Sequence, residues 1–417
     1  MKSKQDIFVY ADWVGLSEPT LVGILHAQWL RGKELFWFEY DKAWITNHSS
    51  FYLDPNILPF GGPQYVKEDT PNFGVFLDSS PDRWGRMLLK RRESIVARNE
   101  QRLPHTLGET DFLLGVFDDA RMGGLRFKLD PNGHFLDNDA ALSTPPMAAL
   151  RDLEYASQQL ETDESIQSDR WIKLLLAPGS SLGGARPKAN VLDENNELWI
   201  AKFPSAHDEV NIAAWEYVAN ILAKRCGIEV PDTKLVLLGC RHPTLLSKRF
   251  DRIQTKRIHM ASAMTLLGYK DGDDASTGVS YLHLAEFIIR FGSQPNEDLR
   301  QLFTRIAFNI AISNADDHLR NHAFLLTKTG WRLSPAYDLN PQPDAMGLKL
   351  NINESDNSLN FDLLLSVSEW FRINQTEGKS IIQHIKSSVS NWKSIACEQT
   401  ISRQEQEMMG KAFTNFQ

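Results

Sequence analysis

The chain has 417 residues, 42% hydrophobic and 24% charged, the balance of an ordinary folded protein with core enough for two or three domains. A formal net charge of −8 argues against binding nucleic acid through its own charge, because that affinity rests on neutralised phosphates; contact through a basic partner stays open. Three widely spaced cysteines, Cys226, Cys240 and Cys397, fit no zinc spacing, and no secretory signal or bilayer-length apolar run is read, so a cytoplasmic chain with reduced thiols is expected.

Residues 1–105 read as a small β-rich subdomain. Ile7-Phe8-Val9-Tyr10, Leu21-Val22-Gly23-Ile24-Leu25 and Glu34-Leu35-Phe36-Trp37-Phe38-Glu39-Tyr40 have strand composition, followed by turns at Pro55, Pro59, Gly61, Gly62 and Pro63. The run from Asp82 through Arg83, Trp84 and Gly85 to Arg92 predicts a basic helix. Such a helix is usually a solvated face; a docking surface is the sharper reading. Leu125-Arg126-Phe127 looks like a strand after a Gly123-Gly124 turn, and Ser143-Thr144-Pro145-Pro146 reads as a linker. An amphipathic helix carrying Leu150, Leu153 and Leu160 follows.

The segment Pro178-Gly179-Ser180-Ser181-Leu182-Gly183-Gly184-Ala185-Arg186-Pro187-Lys188 is a loop whose backbone can approach an anion closely, although the Walker spacing is not met. Two strands, 189–192 and 198–203, are expected after it, joined by Asp193-Glu194-Asn195-Asn196. The second carries Lys202 between Ala201 and Phe203, and a lysine in an apolar strand needs a partner or an anionic ligand. A helix over 208–226 places Glu216 on a partly apolar face, as the partner of Lys202 in one reading and as a surface charge in the other. Val236-Leu237-Leu238 and Leu245-Leu246 read as the last strands before the polar stretch Ser247-Lys248-Arg249-Phe250-Asp251-Arg252.

Helices dominate from about 280. The clearest, at 298–311, keeps Leu299, Leu302, Phe303, Ile306, Ala307 and Ile310 on one stripe. It delivers the chain to Asp316 and, five positions on, Asn321. Two apolar strands between Phe324 and Leu333, around a Thr327-Lys328-Thr329-Gly330 turn, predict a hairpin that returns the chain near its start. Asp338 is then expected close to Asp316 and Asn321. Two carboxylates and a carboxamide there suit a hard cation and an oriented hydroxyl. The same residue types also serve plain turns. The Asp-x4-Asn spacing matches a protein-kinase catalytic loop.

Glycine loop, strand lysine, helix glutamate, hinge, Asp-x4-Asn and second Asp stand in kinase order. His318 follows the aspartate instead of preceding it, however, and Tyr337-Asp338-Leu339 stands where Asp-Phe-Gly is usual. The motifs Ser181-Leu182-Gly183-Gly184-Ala185-Arg186-Pro187-Lys188, Ala201-Lys202-Phe203-Pro204, Arg249-Phe250-Asp251-Arg252, Asp316-Asp317-His318-Leu319-Arg320-Asn321 and Pro335-Ala336-Tyr337-Asp338 resemble the HipA family of bacterial serine/threonine kinase toxins. The resemblance covers nearly the whole chain. It implies an α+β, protein-kinase-like two-lobe fold: a small N-terminal subdomain (1–105), a β-rich N-lobe with the glycine loop (106–252) and a helical C-lobe (253–417).

The resemblance further implies an ATP- and magnesium-dependent kinase acting on an aminoacyl-tRNA synthetase, with a HipB-type DNA-binding antitoxin as partner and no membrane association. Carried over, Asp316 is the catalytic base, Asn321 and Asp338 hold magnesium, and Lys202 contacts the α- and β-phosphates. Gly183, Gly184, Ala185 and His318 contact the nucleotide, the backbone around Lys248 and Phe250 holds adenine, and Asp251 lies near the ribose. Ser181, or its neighbour Ser180, matches the autophosphorylated loop serine, and Glu216 matches the lysine's partner. The alternatives are a small-molecule phosphotransferase on the same fold and a non-catalytic co-repressor partner of the antitoxin.

Overall fold

The computed structural model describes residues 4–30, 32–48, 53–136, 144–162, 172, 174–176, 179 and 184–414. The chain divides into two compact units, the first made of residues 1–207, 238–240 and 251–261 and the second of the remainder.

In the first unit, β1 (Gln5–Ala11), β2 (Thr20–Leu30), β3 (Lys33–Tyr40), β4 (Gln64–Tyr65) and β5 (Leu125–Lys128) form an antiparallel sheet in the order β4-β3-β2-β1-β5. Ile7, Val9 and Ala11 of β1 and Phe36, Phe38 and Tyr40 of β3 are buried, the alternation expected when one sheet face packs on a core. That core includes Phe38 against Phe76 at 5.7 Å and Phe76 against Phe127 at 6.2 Å between ring centroids.

Helices α1 (Lys42–His48), α2 (Gly74–Asp78), α3 (Arg83–Asn99), α4 (Glu109–Leu114) and α5 (Leu150–Thr162) complete the cover. Strands thus fill the early part of the expected β-rich segment and helices the rest, with the basic run forming α3. The proline pair does not act as a bare linker. Leu192 N donates to Pro145 O at 2.9 Å, and Pro146 bridges to Leu192, an edge position that suits a residue without an N–H. Strands β6 (Lys188–Leu192) and β7 (Leu198–Lys202) form an antiparallel hairpin.

The second unit is mainly helical. Its α6 (Ile212–Arg225) starts where the Asn211 side chain accepts from Ala214 N, and it buries Trp215, Glu216, Val218 and Leu222. Strands β8 (Thr233–Val236) and β9 (Thr244–Lys248) pair; β8 ends at Val236, so Leu237 and Leu238 lie beyond the strand that their apolar character suggests. After α7 (Ala263–Leu266) and α8 (Tyr281–Phe291) comes α9 (Pro295–Ala311), with proline in its first turn and Glu297 and Asp298 beside it. The predicted stripe of α9 is fully buried.

Strands β10 (Ala323–Thr327) and β11 (Gly330–Leu333) make the expected hairpin, with Phe324 opposite Leu333 and Thr327 opposite Gly330. Gly330 has φ +140°, and a Cβ there would fall 2.5 Å from Phe291 O, so the turn requires glycine. Helices α10 (Phe361–Ser366), α11 (Gln375–Val389), α12 (Trp392–Glu398) and α13 (Arg403–Met409) close the unit. Among the described residues no helix is long and apolar enough to cross a membrane.

Candidate active site

In the first unit, Lys188 of β6 stands directly opposite Lys202 of β7. Opposed residues of an antiparallel pair share a face, and two like charges so placed call for anionic company. Lys188 is buried, and its Nζ lies against the glycine loop: a Cβ added to Gly184 would sit 2.7 Å from it. Gly184 itself has φ +81°, a backbone that favours glycine.

The N-terminus of α3 braces this stretch. Asp82 caps the helix through Arg83 N, and its second oxygen accepts from Gly184 N at 3.0 Å. Trp84 N donates to Gly184 O at 3.1 Å, and Trp84 Nε1 donates to Lys188 O at 2.9 Å. A Cβ on Gly179 would fall 2.8 Å from Leu88 Cδ1, so glycine at this position follows from the close approach of α3.

In the second unit the chain leaves α9 and turns through Ser313 at φ +51°. The carbonyl of Asp316 accepts from Asn321 Nδ2 and from His318 N, both at 2.9 Å, while Asn321 N donates to His318 O at 2.8 Å. These bonds close a compact loop with Asp316 exposed and Asp317 buried. They use the Asn321 amide nitrogen and leave its oxygen as the atom for a ligand. Burial pushes the Asp317 carboxyl up, but the charge of His322 and hydrogen bonds from His322 and Tyr281 outweigh it and hold the group below its ordinary range.

The hairpin brings the other strand end back. Ser334 N donates to Ala323 O at 2.9 Å, and Tyr337 Oη donates to Arg320 O at 2.7 Å. That last bond joins the residue before Asn321 to the residue before Asp338, so Asn321 and Asp338 each adjoin one contact. Asp338 holds φ +55°, a conformation that costs a non-glycine residue about 1–2 kcal/mol and that aspartate tolerates better than most. The Tyr337 ring packs on Phe250 at 5.5 Å, which ties the hinge segment to the same place.

In the second unit hydrogen bonds thus join Asp316, His318 and Asn321 in one loop, and Tyr337, the residue before Asp338, bonds to that loop and packs on Phe250. Lys248 ends β9, where its N–H donates to Asp232 O at 2.8 Å. Glu216 is buried on α6. Gly184, Ala185, Lys202 and Asp251 belong to the first unit. There Asp251 is buried, and its Oδ2 accepts from Gly123 N at 2.8 Å and from Arg252 Nη1 at 2.7 Å. Ser180, Ser181 and Gly183 lie outside the described residues.

Among the described residues no group of three or more histidine, cysteine, aspartate or glutamate side chains is placed to hold a metal. Magnesium on a nucleotide does not need one: one or two carboxylates suffice, the rest of its shell being phosphate oxygen and water. The hard oxygens of Asn321 and Asp338 fit that role. The fit extends to His318, whose buried Nδ1 has no hydrogen-bond partner among the described residues, a polar atom placed for a ligand.

Sequence reasoning placed Lys188 at the end of the loop without giving it a role, and did not connect Asp82 and Trp84 with the loop. The pairing of Lys188 with Lys202 was legible, because the two stand five residues to either side of the 193–197 turn and a hairpin must pair them. Asp82 was not, since 102 positions separate it from Gly184.

Comparison with known proteins places the chain. The family described as "HipA-like C-terminal domain" matches residues 180–392. A putative kinase of Haemophilus influenzae is 27% identical over 188 residues, covering 40% of this chain and 54% of that protein. The serine/threonine-protein kinase toxin HipA of Shewanella oneidensis is 26% identical over 191 residues, 39% of this chain and 43% of that one. The chain therefore spans about half the length of the curated relatives it matches. The solved Shewanella oneidensis HipA, in complex with HipB and operator DNA, superposes with a TM-score of 0.64 at 20% identity over 98% of this chain and 95% of that one, which shows a shared fold. With a family model spanning more than half of its length, and with an α+β fold shared with the solved HipA, the chain belongs to the HipA family.

Proposed function

We propose that the chain is an ATP- and magnesium-dependent serine/threonine protein kinase, the toxin of a toxin–antitoxin module. The observation that carries this reading is the bond from Tyr337 Oη to Arg320 O, which sets Asp338 beside the loop of Asp316 and Asn321. Asp316, exposed at the loop tip, accepts the proton of the acceptor hydroxyl and orients its oxygen for attack. Lys188 and Lys202 take phosphate oxygens, with the Gly184 backbone held by Asp82. Asn321 and Asp338 supply the oxygens for magnesium, which when bound neutralises charge on the phosphates. Catalysis is then mainly positioning and charge compensation.

The motif resemblance supports an aminoacyl-tRNA synthetase as the phosphorylated protein. The Shewanella oneidensis structure, a complex with HipB and operator DNA, supports a HipB-type antitoxin as partner. Such a partner supplies the basic surface that a chain of net charge −8 lacks. Phosphate on Ser181 or Ser180 adds nearly two negative charges that compete with ATP for the same lysines and so turn the enzyme off.

Asp316→Ala tests the reading. Transfer of labelled phosphate from ATP to protein falls by at least about 1000-fold, while calorimetric binding of magnesium-ATP persists. Equal transfer by both proteins removes the assignment. Label in a lysate metabolite instead of protein moves it to a small-molecule phosphotransferase. Absence of magnesium-ATP binding by the unaltered chain leaves the co-repressor reading.

A further inference from the structure

The Asp316 loop is adjacent to a buried carboxylate that the proposed chemistry does not use. Asp317 Oδ2 accepts three hydrogen bonds: from Asn309 Nδ2 at 2.6 Å, from Tyr281 Oη at 2.7 Å and from His322 Nε2 at 2.9 Å. Each donor comes from a different place. Tyr281 opens α8, Asn309 lies in the last turns of α9, and His322 immediately follows Asn321. All four residues are buried.

Asn309 also reaches the entrance of the loop, its Oδ1 accepting from Asn314 Nδ2 at 3.0 Å. At the exit, His322 O accepts from Ala263 N at 2.8 Å. One carboxylate therefore ties two core helices to a segment that carries Asp316 on one side and Asn321 on the other. A hydrophobic side chain at 317 would fill the space as well. It could not fix the direction of three donors at once, and bonds to an ionised group are roughly twice as strong as neutral ones.

Helix α9 extends the same device to the Asp338 side. Arg305, one helical turn before Asn309 and so on the same face, is buried, and its Nη2 donates to Ser334 O at 2.5 Å. Two turns earlier still, Asp298 accepts from Leu333 N at 3.1 Å. A helix whose apolar stripe marks it as core thus carries a polar stripe that sets both strand ends of the hairpin.

We propose that Asp317, held by Tyr281, Asn309 and His322, is a positioning residue of the phosphoryl-transfer site: it fixes the loop that aims Asp316 at the acceptor hydroxyl and Asn321 at the metal. The role differs from a fold-stabilising one in what it predicts. If the network sets aim, loosening it lowers the rate of each folded molecule, because a displacement of about 1 Å at the reacting group costs about 100-fold. If it only stabilises, melting temperature falls and the folded molecules work as before.

The rate readout rests on the kinase reading, so the experiment carries a second readout that does not. His322→Gln keeps a donor where Nε2 stands, His322→Ala removes it, Tyr281→Phe removes one hydroxyl alone, and Asp317→Asn removes the charge. Each is assayed at a temperature well below its own melting point, with kcat, the magnesium concentration for half-maximal rate, and amide hydrogen exchange over residues 314–322. Expected are a fall in kcat of about 100-fold for His322→Ala and Asp317→Asn, about fivefold for Tyr281→Phe, and within about threefold of the unaltered chain for His322→Gln. The magnesium requirement rises in the same order, and loop exchange quickens with it. Equal kcat in His322→Ala and the unaltered chain, or equal loss in His322→Gln and His322→Ala, overturns the proposal. Should the unaltered chain show no more transfer than Asp316→Ala, the kinase reading has failed, and loop exchange alone decides: unchanged protection in Asp317→Asn and His322→Ala overturns the positioning role.

Discussion

In the first unit, the groups assigned to phosphate stand on a two-stranded hairpin and are braced largely through the main chain. Gly184 N, Gly184 O and Lys188 O each bond to Asp82 or Trp84 at the start of α3, while Lys188 and Lys202 stand opposite each other in the hairpin. In the second unit the bracing comes from buried side chains: Asp317, Tyr281, Asn309 and His322 around the Asp316 loop, and Arg305 and Tyr337 around the Asp338 segment. The difference matches what the proposed chemistry asks of each half. Phosphate is bound by point charges and N–H groups that tolerate small shifts. Aiming a hydroxyl and a metal oxygen tolerates much less, and fixed directions demand satisfied buried donors and acceptors.

The comparison breaks first if the lysine pair is dispensable. Lys188→Ala combined with Lys202→Ala weakens magnesium-ATP binding by at least about 100-fold, each charge-assisted contact contributing about 1.5–3 kcal/mol, and leaves hydrogen exchange over 314–322 unchanged. Calorimetry on the double variant beside each single one measures this. If Lys188→Ala alone binds like the unaltered chain, the shared face of β6 and β7 has no phosphate role.

A smaller change sharpens the distinction. Asp82→Ala removes the acceptor for Gly184 N and the cap of α3, so the melting temperature falls by the equivalent of about 1 kcal/mol. Magnesium-ATP binding weakens by about fivefold, while kcat at saturating ATP stays within about twofold. A fall in kcat with affinity intact places the brace on the wrong half.

The smallest effect lies away from both halves. Glu93 of α3 pairs with Arg102, whose hydrogen bond holds the carboxyl at about 2 against the usual 4.5. The folded state therefore binds this proton less readily than the unfolded chain, and the stabilisation is present above pH 4.5 and lost as pH falls towards 2. Glu93→Gln melts below the unaltered chain near neutrality, and the gap closes as the pH approaches 2. A gap that persists in acid assigns the effect to packing. Catalysis, resting on other residues, does not change with this substitution.

Much of the molecule was legible before folding was considered. The β10–β11 hairpin, its glycine turn, the buried stripe of α9 and the strand lysine follow from spacing alone, because a period of two or of 3.6 residues encodes which face is buried. Spacing along the chain also gave Asp316, Asn321 and Asp338 as a set, since a hairpin must return its ends to one place. Where local rules misled, tertiary contact had taken over: the proline pair runs along the edge of β6. Nor could those rules show that α3, whose basic run reads as a solvated face or a docking surface, also spends its first turn on the glycine loop of its own chain.

Sequence by itself determined the inventory of this protein, its order and its periodic elements. It singled out Asp316 by its spacing to Asn321, but it could not say what the neighbouring Asp317, a residue of the same type with equal local preference, does in the fold. Only the folded structure decided that, because Tyr281, Asn309 and His322 converge on the second carboxylate from separate elements and leave the first exposed. Which groups meet across dozens of positions is set by how helices pack, and that information belongs to no single stretch of the chain.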